Sequence, residues 1–281
     1  MKRVSREQIK KSMQEKIARR EPIILAGAGC GLVARAEEAG ADLIMAYNTG
    51  VYRMDGHVSL VGYRYYSDGN KDTLELAAQL CDTVKKTPVA AGVCAEDPFR
   101  DQERLLEQLM ELGYSGVTNV PSIAGAAEKA GSVFGLPARG WGMGTQAELE
   151  LVRLCRRKGI FTAMYAYNEA DIKALTAAGV DLLSIHVGGT AGGTTGALGE
   201  KLLSLEQAAE MTQRCFETAL REDPEVVVVT HGGPFEDPQA MEYCFSHAAC
   251  HGYIGASGIE RIPVEKALRR AFAGCRALRT G

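Results

Sequence analysis

Eight apolar runs rich in β-branched residues alternate with amphipathic stretches from one end of the chain to the other. The runs are PIILAGAG (22–29), DLIMAYNTG (42–50), PVAAGVCAEDP (88–98), SGVTNVPS (115–122), GIFTAMYAYN (159–168), VDLLSIHVGGT (180–190), VVVVTHGGP (226–234) and GYIGASGIE (252–260). A run that is apolar throughout, rather than at every second residue, marks a strand buried on both faces. Such strands need helices on both sides. The intervening stretches, DQERLLEQLMELG and SLEQAAEMTQRCFETAL among them, have the helical spacing that supplies them. Strict strand–helix alternation predicts an α/β fold, a parallel sheet closed into a single (β/α)8 TIM barrel. A doubly wound open sheet shares the alternation. Eight units of similar size with no compositional break favour the closed form. The expected organisation is an amphipathic N-terminal helix at 1–21, with Val4, Ile9, Met13 and Ile17 on one face, and a TIM-barrel domain over 22–281.

Composition narrows the function classes. A net charge of −3 gives no basic surface for nucleic acid or an anionic membrane. No apolar run approaches the ~20 residues of a membrane span. The basic N-terminus has no apolar core of a secretory signal. The eight cysteines are scattered without a C-x-x-C pair or zinc spacing, as in a protein of the reducing cytoplasm. Only Cys30, between Gly29 and Gly31 at a strand end, stands out as a candidate nucleophile. No strand end carries a lysine, which argues against a Schiff-base aldolase. No G-x-x-x-x-G-K-[ST] loop is present either.

In such barrels the chemistry lies where strands end. His186 and His231 close neighbouring strands six and seven, each followed by paired glycines. Strands lie about 4.8 Å apart, so the two imidazoles could share one substrate group or one ion. Glu96 and Asp97 close strand three, and one of them is a candidate general base or metal ligand. Gly232 and Gly233 after strand seven, with Gly255 and Ser257 after strand eight, form a candidate anion cradle of backbone amides. The segment 47–71 is long for a plain connection and holds five tyrosines with Arg53 and Arg64, either of which suits a carboxylate or phosphate. It reads as a lid or substrate-binding segment, or as a subunit contact. Asn48 and Asn119 are candidate hydrogen-bonding partners for substrate oxygens, and Glu260 lies at the last strand end.

Five motifs, in order along the chain, carry a resemblance. They are Asn48-Thr-Gly-Val-Tyr-Arg-Met54, Ala91-Gly-Val-Cys-Ala-Glu-Asp-Pro-Phe-Arg100, Gly116-Val-Thr-Asn-Val-Pro-Ser122, the HGGP at 231–234, and Gly255-Ala-Ser-Gly-Ile-Glu-Arg-Ile-Pro263. The chain resembles the phosphoenolpyruvate hydrolase-like family of TIM-barrel enzymes, related to the phosphoenolpyruvate/pyruvate superfamily. The resemblance implies a hydrolase or lyase acting on a small anionic substrate, phosphorylated or a 2-oxo acid. It also implies Mg²⁺ or Mn²⁺, here at Asp97. The likeness extends to the barrel part of plant tobamovirus-resistance proteins, which follows an ATP-binding region. A separate ATP-binding partner protein would take that region's place. The alternative function is a non-catalytic ligand-binding or regulatory barrel. Helix eight and the N-terminal helix are the expected homo-oligomer surfaces.

Overall fold

A computed structural model describes residues 3–63, 66–122, 144–199 and 202–280. Arg64 lies outside the described residues, as does most of the glycine-rich segment before Gly144. The strands are β1 (Ile23–Ala28), β2 (Leu43–Ala46), β3 (Val89–Gly92), β4 (Gly116–Thr118), β5 (Phe161–Ala166), β6 (Leu182–His186), β7 (Val227–His231) and β8 (Gly252–Gly255). All pair parallel in sequence order, and β8 returns to β1, closing the barrel. The strands are shorter than the apolar runs. β2 stops at Ala46 because Asn48 already opens a helix, so the sequence 47–54 serves the barrel mouth rather than the sheet.

The helices are α1 (Arg6–Ala18), α2 (Gly31–Glu37), α3 (Asn48–Met54), α4 (Gly69–Leu80), α5 (Gln102–Glu111), α6 (Thr145–Arg157), α7 (Glu169–Ala178), α8 (Leu205–Glu222), α9 (Pro238–His247) and α10 (Arg261–Arg276). Side-chain caps fix several starts. Asp68, Asp101, Asn168, Ser204 and Asp237 each accept a backbone N–H of the first turn. The strands' outward faces and these helices form the larger core, around Ile44, Leu106, Val152, Leu183 and Val228.

The inward faces follow the two-residue period of a strand. On β5 and just beyond it Phe161, Ala163, Tyr165 and Tyr167 share one core cluster, and on β7 Val227 and Val229 join it. That cluster includes Ile9 and Met13 of α1, which are 3% and 2% exposed. The N-terminal helix therefore plugs the barrel floor. Burying these two side chains stabilises by roughly 1.5–3 kcal/mol each. The floor also carries ion pairs that the strand sequences did not suggest. Arg6 meets the buried Asp181 at 2.7–3.0 Å, and Lys16 meets Asp42 at 2.6 Å. These fix α1 below the barrel, at the end opposite the strands' C-termini. No described helix is long and apolar enough to cross a membrane.

Candidate active site

At the C-terminal end of the strands lies a cavity of about 510 Å³. Its wall includes His186, His231, Arg53, Ser257 and four tyrosines, 47, 63, 165 and 167. His186 and His231 are register partners on β6 and β7, so their side chains share the inward face. Their ring centroids are 5.0 Å apart. Tyr165 sits 5.7 Å from His186 and 5.2 Å from His231, and Tyr167 sits 5.1 Å from His186.

The hydrogen bonds assign the imidazole tautomers. His231 Nδ1 lies 2.8 Å from the Ile254 carbonyl, which can only accept, so the proton is on Nδ1 and Nε2 keeps its lone pair. His186 Nδ1 accepts the Gly188 N–H at 3.2 Å, which places its neutral-state proton on Nε2. One ring thus has an accepting Nε2 and the other a donating one. Burial pushes the His231 pKa down to about 4, against the Ile254 carbonyl that favours the cation, and the Arg53 charge adds to the depression. His231 is neutral at physiological pH.

Arg53 rises from α3 into the barrel, 3% exposed. Its Nε donates to Glu260 Oε2 at 2.6 Å and its Nη1 to Thr49 Oγ1 at 3.2 Å. Nη2 is buried without a hydrogen-bond partner, on a side chain that borders the cavity. Burial opposes the guanidinium charge, but the Glu260 carboxylate outweighs it. Glu260 is fully buried. Its other oxygen accepts the Gly29 N–H at 2.6 Å. Burial pushes its carboxyl up, and Arg53 and that amide pull it back. Glu260 does not border the cavity; it holds Arg53 in place.

The other sequence candidates fall elsewhere. Asp97 Oδ2 accepts from Asn70 at 2.8 Å and Arg100 at 2.7 Å, and its Oδ1 accepts the Phe99 N–H at 2.8 Å. Partial burial raises its pKa, but these donors win and hold the carboxylate below its usual range. Glu96 accepts the Gly144 N–H and is pushed up by burial. Neither acid borders the cavity. Asn119 is saturated: Nδ2 donates to Glu148 at 2.5 Å and to the Tyr165 carbonyl at 3.1 Å, and Oδ1 accepts the Tyr165 N–H at 2.7 Å. It fixes the strand that carries Tyr165. Asn48 donates to the Gly62 carbonyl at 2.8 Å and so anchors the turn Ser59–Tyr63, whose Ser59, Leu60 and Tyr63 form part of the cavity wall. Cys30 precedes α2 and does not border the cavity.

The paired glycines have a different use from an anion cradle. Gly232 and Gly233 have φ of +85° and +56°. A Cβ on Gly232 would fall 2.2 Å from the Gly188 carbonyl oxygen. Gly233 N–H donates to that same carbonyl at 2.8 Å. The HVGG and HGG loops are glycine-rich because their backbones cross in contact, which positions the two histidines. At Gly255 a Cβ would meet Ile259 Cγ1 at 2.2 Å, so that glycine makes room for a side chain of its own loop. Ser257 alone of these loop candidates borders the cavity.

A hard divalent cation takes carboxylate and carbonyl oxygens. Among the described residues no group of three or more His, Cys, Asp or Glu side chains could hold a metal, and the cavity wall has no carboxylate. The described residues do not fit a Mg²⁺ or Mn²⁺ site.

Tyr165, Tyr167 and the buried acids Glu37 and Glu148 were not singled out in the sequence, whereas Tyr47 and Tyr63 belong to the tyrosine-rich segment 47–71. Tyr165 and Tyr167 could have been, because residues two apart share a face, and the register pairs Tyr165 with Ser184 of β6, two residues before His186. Glu148 carried no signal. It comes from α6 and meets Asn119 and Ser122 Oγ, the latter at 2.6 Å, only in the folded chain.

Fold and mouth together define a closed parallel (β/α)8 barrel with a cavity at the C-terminal end of its strands. Among solved structures, a phosphoenolpyruvate phosphomutase from Streptomyces platensis subsp. rosaceus aligns with TM-score 0.59 at 16% identity, over 94% of this chain and 86% of that one. A 2,3-dimethylmalate lyase, a member of the phosphoenolpyruvate mutase/isocitrate lyase superfamily, aligns with TM-score 0.58 at 16% identity, over 97% and 88%. The chain belongs to the phosphoenolpyruvate hydrolase-like family, whose profile matches residues 8–277. The "ToMV susceptible protein tm-1(GCR26)" and "ToMV resistance protein Tm-1(GCR237)" of Solanum lycopersicum are each 37% identical to it over 262 residues. That alignment covers 92% of this chain and 34% of each tomato protein, so the chain spans about a third of their length.

Proposed function

We propose that this barrel is an enzyme for a small anionic substrate, a 2-oxo acid or enol phosphate, in a hydrolase or lyase reaction. The observation that carries the reading is the Arg53 guanidinium, buried at the cavity with Nη2 lacking a partner. A buried donor left unmade costs free energy, and a ligand oxygen would recover it. The substrate's carboxylate or phosphate sits on Arg53. His231 Nε2 accepts a hydroxyl proton from substrate or water as bonding changes. His186 Nε2–H faces the 2-oxo oxygen and stabilises the charge that develops there. A neutral His231 is a weak base, so it takes its proton late, when negative charge has built up beside it. Among the described residues the donor set supports no metal-dependent step. The family name and the enzymes that share the fold favour this reading.

The second reading is a ligand-binding or regulatory barrel that works with a partner, an ATP-binding protein among the candidates. The viral susceptibility and resistance names of the tomato relatives favour it. NMR detection of products from a panel of 2-oxo acids and enol phosphates, with EDTA present, tests the two. The enzyme reading expects a product with wild type that falls at least tenfold in His231→Asn and His186→Asn while acid binding persists. Saturable binding without any product supports the second reading. Turnover that disappears in EDTA sinks the metal-free mechanism.

A further inference from the structure

Resting on the anionic-substrate reading, we propose that the acid bound at Arg53 is a monocarboxylate with an aromatic or similarly bulky unsaturated body, held among Tyr47, Tyr63, Tyr165 and Tyr167. Three observations converge on it.

The first is size. The cavity holds about 510 Å³. A water's share of liquid is about 30 Å³, so the space equals roughly seventeen waters. A three-carbon acid has only about six heavy atoms and would leave more than half of that volume to solvent. Wall residues that touch only water would gain nothing from substrate.

The second is the chemistry of the wall. Tyr47 and Tyr165 lie close enough to act on one another's hydroxyls, as do Tyr63 and Tyr167. Four rings clustered on one wall offer their faces and edges to a ligand. Aromatic rings favour offset or edge-to-face partners. Tyr165 already stands edge-on to both histidines, at 61° and 69°. Val58 and Leu60 extend the apolar wall to the rim, where they are 44% and 57% exposed.

The third is charge. Among the described wall residues Arg53 is the one Lys, Arg, Asp or Glu side chain, and part of its charge is already met by Glu260. A single shared cation suits one carboxylate. A dicarboxylate would leave its second charge against tyrosine rings without a partner, which burial penalises.

Titration calorimetry on the whole chain, in EDTA, separates the claims with four probes: phenylpyruvate, pyruvate, oxaloacetate and the neutral phenylacetone. Phenylpyruvate is expected to bind at least tenfold tighter than pyruvate, oxaloacetate and phenylacetone. Tyr167→Leu should remove most of the advantage over pyruvate. Should that half-buried substitution fail to fold, Leu60→Trp at the exposed rim gives a second test: it narrows the mouth and should weaken phenylpyruvate at least fivefold with pyruvate unchanged. Pyruvate or oxaloacetate binding as tightly as phenylpyruvate overturns the bulky-body claim and leaves the anionic reading in place. Phenylacetone binding as tightly as phenylpyruvate overturns the Arg53 anchor, and with it the anionic reading. No binding by any probe overturns both.

Discussion

Replacing Arg53 by Met would remove a guanidinium and leave Glu260 alone in the barrel wall. Glu260 is 0% exposed, and its Oε2 has its 2.6 Å bond from Arg53 while Oε1 keeps the Gly29 amide. Breaking a buried pair from one side costs about 3–5 kcal/mol, because a charge is left without compensation. For a barrel of this size about 2 °C of melting temperature goes with each kcal/mol, so a loss of about 6–10 °C is expected. The pH dependence has a definite sign. Burial already raises the Glu260 pKa, and losing Arg53 raises it further. A carboxyl with a raised folded-state pKa favours the folded state while both states are protonated, and that advantage is lost as pH rises through the folded pKa. The deficit of Arg53→Met relative to wild type should therefore be larger at pH 8 than at pH 5. Arg53→Met/Glu260→Met removes both charges and should recover most of the loss, while acid binding stays absent. Scanning calorimetry of wild type, the two single variants and the double variant at both pH values gives the full cycle. A double variant as unstable as Arg53→Met, or a deficit that shrinks as pH rises, would refute the reasoning.

Two further outcomes follow from other buried or uncovered groups. Glu37 has two buried oxygens without partners, and burial, aided by the Glu260 charge, pushes its pKa up to about 8. Glu37 should cost stability as pH rises from its unfolded value of about 4.3 toward 8; Glu37→Gln should flatten that slope in urea unfolding, and an unchanged slope would count against it. On α10, Val264, Leu268 and Phe272 fall four residues apart and are 40%, 56% and 67% exposed. With self-association through this helix, Leu268→Glu/Phe272→Glu should lower the mass seen by light scattering, whereas an unaltered mass would rule α10 out.

The barrel is legible in the sequence because its cause is local. Eight runs too apolar to face water on either side need helices on both faces, and strict alternation leaves few other ways to provide them. The two histidines were legible for the same reason: a strand's period fixes its inward face, and strand ends meet at the mouth. Arg53 was visible as a cation in a segment too long for a plain connection. What those residues touch depended on contacts distant in sequence. Glu260 lies 207 residues from the Arg53 it grips. Asp97 is drawn to Asn70 and Arg100, and Asn119 to Glu148 and the Tyr165 backbone. The glycines after each histidine are plain in the sequence, yet their use was decided only when two loops crossed and one amide met the carbonyl of the other. Periodicity determines which face a side chain takes. Only the closed barrel decides which groups share the resulting space, because those partners are brought together by the folding of the whole chain.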